Sequence, residues 1–327
     1  MQTKFLILRF SSIGDIVLTT PVLRCLKLQY PNAEIHYLTK PAFENILANN
    51  PYITKVHVLD KTLLQKTMEL KHLGFDYIID LHNNLRTRII KSVLNVPSFS
   101  FDKLNTEKAQ LVNLKSNTLP QVHIVNRYLD TLESFGVTND GQGLDYFIPD
   151  DVTLSDEVKQ LTSKPYIAVA IGAQYSTKRL PTQKLIEVCK QINTKVILLG
   201  GKEDENTGNE IIEKSGSHVI NLSGKLSLHQ SAWVVKQAQK VITHDTGLMH
   251  IAAAFKKPII SIWGNTVPDF GMTPYYGNYN ITNKVFEVPH LACRPCSKIG
   301  FNACPKAHFN CMNLQDNSGI AAAANEL

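Results

Sequence analysis

One alternation, occurring twice, most constrains what this chain can fold into. Short runs rich in Val, Ile and Leu, without polar alternation, are separated by amphipathic stretches of helical period. The runs are Lys4–Phe10, Glu34–Leu38, Lys55–Leu59 and Tyr77–Leu81, and then Tyr166–Ile171, Lys195–Leu199, His218–Asn221, Lys240–His244 and Pro258–Trp263. A strand that is apolar on both faces suits a parallel sheet covered on both sides. The stretches Pro21–Gln29, Pro181–Gln191 and Leu228–Gln239 read as covering helices. The pattern predicts an α/β chain with two parallel sheets. Between the two sets, the polar segment Gly136–Lys164 carries Gly141, Gly143 and Pro149 and reads as a linker. It divides a first domain, 1–155, from a second, 156–327.

Length agrees: 327 residues fit two domains of roughly 150 residues each. A chain of this size buries about three quarters of its unfolded surface, so it needs no disulfide staples. Apolar residues at 43% and charged residues at 19% exclude a disordered chain. No apolar run approaches the roughly 18 residues of a membrane span. The opening Met1–Phe10 lacks a small-residue cleavage site and does not read as a signal peptide. The expectation is a cytoplasmic protein. The net charge of +6 is not gathered into a basic stripe, which argues against nucleic acid as partner.

Three strand-to-helix junctions carry the candidate chemistry. The first is Arg9-Phe10-Ser11-Ser12-Ile13-Gly14-Asp15. Gly14 allows close backbone approach, exposed amides at a helix start favour anions, and Asp15 is placed to accept a proton. Ser12 and Asp15 are equally the residues of an ordinary N-cap. The second is Gly172-Ala173-Gln174-Tyr175-Ser176-Thr177-Lys178-Arg179, which brings two cations to a strand end. The third is His244-Asp245-Thr246-Gly247-Leu248-Met249-His250, where Thr246 and Gly247 offer a hydroxyl and amides to a phosphate. A further strand end, Gly200–Glu205, brings Asp204 toward a ribose or base, or supplies first-turn helix charge. A G-x-G-x-x-G fingerprint, a Walker A sequence, H-E-x-x-H and a D-x-D metal motif are all absent.

The Ser11–Pro21 block, Lys178-Arg179-Leu180-Pro181, and His244–Ala254 followed by Ile262-Trp263-Gly264-Asn265-Thr266 resemble glycosyltransferase family 9, the ADP-heptose:lipopolysaccharide heptosyltransferases. Phe75–Leu81 and Arg127-Tyr128-Leu129 are supporting matches, and the motifs occur in family order over about Lys4 to Met312. The resemblance implies a GT-B fold, with two Rossmann-like domains facing a cleft. The first domain would bind acceptor and the second a nucleotide-sugar donor. It implies an inverting transfer of heptose from ADP-heptose to the lipopolysaccharide inner core, with Asp15 as general base and Lys178 at the donor phosphate. Ser11, Ser12, Gly14, Arg9, Asp204, Asp245, Thr246, Gly247 and His250 become candidate substrate contacts. No cofactor is implied for the chemistry. The acceptor would be of lipid A–Kdo type, approached from the inner face of the inner membrane by transient peripheral contact. His82–Arg88, with Arg9 and Lys91, could meet its phosphates and carboxylates, or form an ordinary helix with solvated arginines. Trp263-Gly264-Asn265 stands where the family more commonly has aromatic-Gly-Pro. Alternatives are another GT-B sugar-nucleotide enzyme, with a different nucleoside or sugar, and a binding protein without turnover.

Six cysteines remain. Cys25 and Cys189 fall in helical patterns as buried apolar residues. Cys293, Cys296, Cys304 and Cys311 cluster, with His308 between the last two, and four thiolates can hold a structural zinc tetrahedrally. The spacing is not a standard zinc-finger framework, and a family structural feature without metal is the other reading.

Overall fold

The computed structural model describes residues 2–326. Among them, eleven strands form two sheets in which every pairing is parallel. The first sheet holds β1 (Thr3–Leu8), β2 (Ala33–Thr39), β3 (Lys55–Val58), β4 (Tyr77–Asp80) and β5 (Ser98–Ser100), in the order β3-β2-β1-β4-β5. The second holds β6 (Tyr166–Ala170), β7 (Lys195–Leu199), β8 (Val219–Asn221), β9 (Lys240–His244), β10 (Ile259–Trp263) and β11 (Asn283–Glu287), in the order β11-β10-β9-β6-β7-β8. All nine apolar runs became strands. The two strands without such a run, β5 and β11, lie at sheet edges and are half exposed, so little apolar side-chain burial marks them.

Each sheet is covered on both faces. In β1, Leu6 and Leu8 pack with Phe10, Leu38, Ile78 and Ile90 on one side. On the other side Phe5 meets the rings of Tyr77 at 5.4 Å and Phe135 at 5.2 Å. In the second sheet Ile167, Val169 and Ile171 pack with Val196, Leu198 and Ile242, under Leu185, Ile186 and the C-terminal helix Asn317–Asn325. Cys25 and Cys189 are wholly buried, as their helical patterns implied.

The chain separates into two compact units, each with one sheet, and the segments interleave. The first unit comprises Met1–Lys103, Val122–Phe147 and Gly277–Tyr279. The second comprises Leu104–Gln121, Ile148–Tyr276 and Asn280–Leu327. Two contacts account for the interleaving. The helix Asn105–Leu114 and the turn after it bury Leu111 and Leu119 against Val267 and Phe270 of the second unit. Gly277, at φ +65°, lies against the Gly141 carbonyl so closely that any β-carbon would collide, and Asn278 N–H donates to that carbonyl at 2.7 Å.

The stretch that reads as a linker is pinned at its start. Arg24, buried on the helix Thr20–Gln29, donates to both oxygens of Asp140, to Asp145 and to the Gly143 carbonyl. Asp145 N–H donates to Thr20 Oγ1 at 2.9 Å, and Gln29 reaches the Thr138 carbonyl at 2.7 Å. No helix among the described residues is long and apolar enough to cross a membrane.

Replacing Arg24 by Met keeps the stem's volume but strands two carboxylates that are each about one-fifth exposed. The expected loss is roughly 2–3 kcal/mol by urea unfolding, below the cost for a fully buried pair. Partial burial works to raise the Asp140 pKa, but the hydrogen bonds from Arg24 and Gln142 outweigh it and hold it below the usual value. Its contribution is therefore complete above the unfolded pKa, about 3.9, and is lost as pH falls through the lower folded value. The gap between wild type and Arg24→Met should narrow below about pH 4; a gap that widens there contradicts this assignment.

Candidate functional site

In a parallel α/β sheet a crevice opens at the carboxyl ends of the strands, where successive connections leave in opposite directions. The first sheet has this switch between β1 and β4, and the second between β6 and β9. The sequence candidates collect at these two places.

In the first unit, β1 leads into Arg9–Ser12 and the helix Ile13–Val17. Asp15 stands at the third helical position. One carboxylate oxygen pairs with Arg9 Nη2 at 2.7 Å; the other accepts from Ser12 N–H at 3.1 Å and Ser12 Oγ at 2.8 Å. The capping arrangement is thus present, and it leaves the Asp15 side chain 21% exposed. Arg9 is almost buried. Its Nε donates to the Ser11 carbonyl at 2.8 Å, and its Nη1 to the Leu81 carbonyl at 2.6 Å and the Tyr128 hydroxyl at 3.0 Å. The guanidinium therefore spans the switch point, from the end of β1 to the end of β4, and orients Asp15. Burial opposes the Arg9 charge, but Asp15, together with Tyr128 and Tyr37, outweighs it and raises its pKa. Burial pushes the Tyr128 hydroxyl up, which keeps it neutral beside Arg9. His82, against the Phe10 ring, is pushed down to about 4 by burial and by Arg9. Gly14 is buried in the first helical turn.

Lys91 is committed elsewhere: it pairs with the buried Asp80 at 3.0 Å and donates to Ser100. Arg86 and Arg88 are exposed on the helix Leu85–Leu94. That helix starts at Asn84, whose side chain accepts from Thr87 N–H at 3.0 Å, and stops at Asn95 in the left-handed region.

In the second unit the loop after β6 delivers Lys178 to the loop after β9. Its ammonium lies 2.5 Å from Asp245 Oδ2 and 3.4 Å from the Asp245 carbonyl. The same carboxylate oxygen accepts from Thr266 Oγ1 at 3.0 Å. Thr246 caps the helix Gly247–Ala254, and its hydroxyl lies 3.2 Å from that of Thr243. Lys178, Asp245, Thr246 and Gly247 are thus brought together, partly exposed, at one strand-end junction. Two other candidates are internal. Asp204 is 3% exposed; it accepts from Gly201 N–H at 2.9 Å and Arg179 Nη1 at 3.0 Å, tying the loop after β6 to the loop after β7. Burial raises its pKa. His250 is 2% exposed within its helix.

The side-chain placement does not support the zinc expectation. Among the described residues no group of three or more His, Cys, Asp or Glu side chains is placed to hold a metal. All six cysteines are free. Cys311 turns into the apolar core beside Met312 and Ile320, where burial raises its thiol to about 12. Cys296 Sγ donates to the Cys293 carbonyl at 3.0 Å.

Thr266 and Tyr128 were not among the expected site residues, although each lies in a motif quoted above. Arg294 carried no such signal. It donates to the Gly264 carbonyl at 2.5 Å and the Thr266 carbonyl at 3.0 Å, across thirty residues or nearly so.

A family model described as glycosyltransferase family 9 (heptosyltransferase) matches residues 64–302. Lipopolysaccharide heptosyltransferase 1 of Campylobacter coli is 29% identical over 312 residues, covering 86% of this chain and 87% of that protein. Among solved structures, the glycosyl transferase family 9 protein of Veillonella parvula superposes with a TM-score of 0.77 at 21% identity, covering 99% of this chain and 97% of that one. The Escherichia coli ADP-heptose lps heptosyltransferase II does so with a TM-score of 0.66 at 21% identity, covering 95% and 98%. The two parallel-sheet units are those of the GT-B class.

Burial pushes the His244 imidazole down to about 4, and its Nε2 accepts the Leu180 N–H at 2.9 Å, which requires that nitrogen to be unprotonated. The folded pKa lies below the unfolded value of about 6.5, so stability is unaffected above that pH. It falls as pH drops from about 6.5 toward 4, by up to about 1.4 kcal/mol per pH unit from this group. In an NMR titration the His244 ring should stay neutral at pH 5; a midpoint near 6.5 would refute the assignment.

Proposed function

Because the chain belongs to glycosyltransferase family 9, the heptosyltransferases, we propose that it transfers heptose from ADP-heptose to a lipid A–Kdo type acceptor of the lipopolysaccharide inner core, with inversion. The observation that carries this reading is the pair of ionic junctions at the two switch points: an oriented, partly exposed carboxylate in one unit and a lysine–carboxylate pair beside helix amides in the other. The first unit takes the acceptor and the second the nucleotide sugar, so the domain roles follow the junctions. The identities of donor and acceptor draw on the names of the relatives.

In this mechanism Asp15 removes the proton from the acceptor hydroxyl as its oxygen attacks the anomeric carbon. The bond from that carbon to the diphosphate oxygen breaks, and the sugar passes through a state with oxocarbenium character. Arg9 and Ser12 fix the direction of the Asp15 lone pairs. Proton transfer comes late, once the attacking hydroxyl has become acidic. Lys178 and the amides at Thr246 and Gly247 stabilise the charge that collects on the leaving diphosphate. Asp245, held by Lys178 and Thr266, accepts from sugar hydroxyls.

The reading includes peripheral contact with an anionic lipid surface from the cytoplasmic side. The helix Leu85–Leu94 buries Thr87, Ile90 and Leu94, while Leu85 at 72% and Ile89 at 39% exposure stand on its outward side with Arg86 and Arg88. Apolar side chains flanked by arginines suit the headgroup region, where arginines meet phosphates.

Two tests follow. Asp15→Asn should abolish heptose transfer while ADP still binds; near-normal turnover removes Asp15 from the chemistry. Transfer from a UDP-sugar but not from ADP-heptose overturns the donor assignment. In cosedimentation, the protein should bind phosphatidylglycerol vesicles, and Arg86→Glu with Arg88→Glu should weaken binding at least roughly thirtyfold, about 1 kcal/mol per lost cation. Equal binding to phosphatidylcholine vesicles would contradict the electrostatic part of this reading.

A further inference from the structure

The cysteine-rich segment makes dense contacts, and they fall on the loop after β6, which carries Lys178, and on the loop after β10, which carries Thr266. At one loop, Phe301 and Thr177 exchange three hydrogen bonds: Thr177 N–H and Thr177 Oγ1 donate to the Phe301 carbonyl at 3.1 and 3.0 Å, and Phe301 N–H donates to Thr177 Oγ1 at 2.8 Å. Thr177 is 2% exposed and precedes Lys178. Gly300 lies against Tyr175 so closely that a β-carbon would sit 2.6 Å from that of the tyrosine. At the other loop, Cys296 N–H donates to the Asn265 carbonyl at 3.1 Å. Arg294, its side chain 7% exposed, holds the carbonyls of Gly264 and Thr266 and is itself held by Glu287 at 2.6 Å. Thr266 in turn donates to Asp245. Ser297 Oγ accepts from Ile299 and Gly300 N–H, which closes the turn between the two attachment points.

We infer that the segment Arg294–Phe301 is a clasp that sets the spacing of Lys178 and Asp245, with Arg294 and Thr177 as positioning residues for nucleotide-sugar binding. The inference rests on the reading that Lys178 and Asp245 hold the donor. Neither positioning side chain needs to touch substrate. Thr177 fixes the backbone that carries Lys178; Arg294 fixes the backbone that carries Thr266, and through it the Asp245 carboxylate. Arg179 and Lys178 also tie the loop after β6 to its neighbours; the clasp adds a link from that loop to the loop after β10, beside the one that runs through Asp245. A displacement of about 1 Å at such groups costs up to a hundredfold in rate.

The test compares Thr177→Val, which keeps shape but loses the Oγ1 bonds, with Thr177→Ser, which keeps them, and Arg294→Met with Arg294→Lys. Binding of ADP, GDP, UDP and CDP is measured by calorimetry, and donor and acceptor KM separately. Thr177→Val and Arg294→Met should weaken nucleotide binding and raise donor KM roughly tenfold, with acceptor KM within about twofold of wild type and Thr177→Ser close to wild type. If the wild-type protein binds another nucleoside diphosphate and not ADP, the donor reading falls, and the clasp is judged on the nucleotide that binds. Hydrogen exchange, which needs no ligand, should quicken at residues 175–181 and 263–267 in both variants. Unchanged exchange there, or donor and acceptor KM rising together, would overturn the clasp.

Discussion

The structure depends on how a parallel sheet ends. At a switch point two neighbouring strands send their chains apart, and their terminal carbonyls and amides are left without ladder partners. In both sheets here a charged, well-held side chain fills part of the gap. In the first sheet Arg9 fills it, bonded to the Leu81 carbonyl on one side and to Asp15 on the other. In the second, Lys178 reaches Asp245 and its carbonyl. Each group knits the sheet end together and also leaves a polar side chain partly open to solvent. The requirement of the fold and the chemistry of the site are met by the same atoms.

Around these junctions, interior ion pairs do the bracing. Arg179 with Asp204 ties the loop after β6 to that after β7. Arg24 with Asp140 and Asp145 pins the chain as it leaves the first unit's helices. Such pairs add little net stability over apolar packing, but breaking one leaves an uncompensated charge. They make particular loop conformations the only tolerable ones, which a donor-binding junction needs. In each of those pairs one partner is 5% exposed or less, whereas Lys178 and Asp245 are both partly open, at 16% and 13% side-chain exposure, so an incoming anion can reach the ammonium.

Much of this was legible in advance. Nine strands show as apolar runs because both sheet faces are covered, and that leaves a strong compositional mark. β5 and β11 leave none: both are edge strands with no fully buried side chain, so composition does not mark them, whereas the other two edges, β3 and β8, keep apolar runs. Asp15, Lys178, Asp245 and Thr246 stand where a strand-to-helix junction puts them. Asp204 and His250 occupy similar positions in the chain yet are enclosed, because arginine pairing and helix packing are long-range facts that a local pattern does not carry. Spacing alone did not place the four clustered cysteines: one thiol is buried against the apolar core and another bonds a backbone carbonyl.

By itself the sequence determined the class of fold, the number of sheets and the strand ends that bear chemistry, because periodicity and junction residues are local and the hydrophobic effect acts on them directly. Tertiary structure alone decided which segments share a unit, which acids are buried, and that a cysteine-rich stretch grips the donor loops through Arg294 and Phe301. Those outcomes depend on hydrogen bonds between residues tens to more than a hundred positions apart, satisfied only when the whole chain has packed.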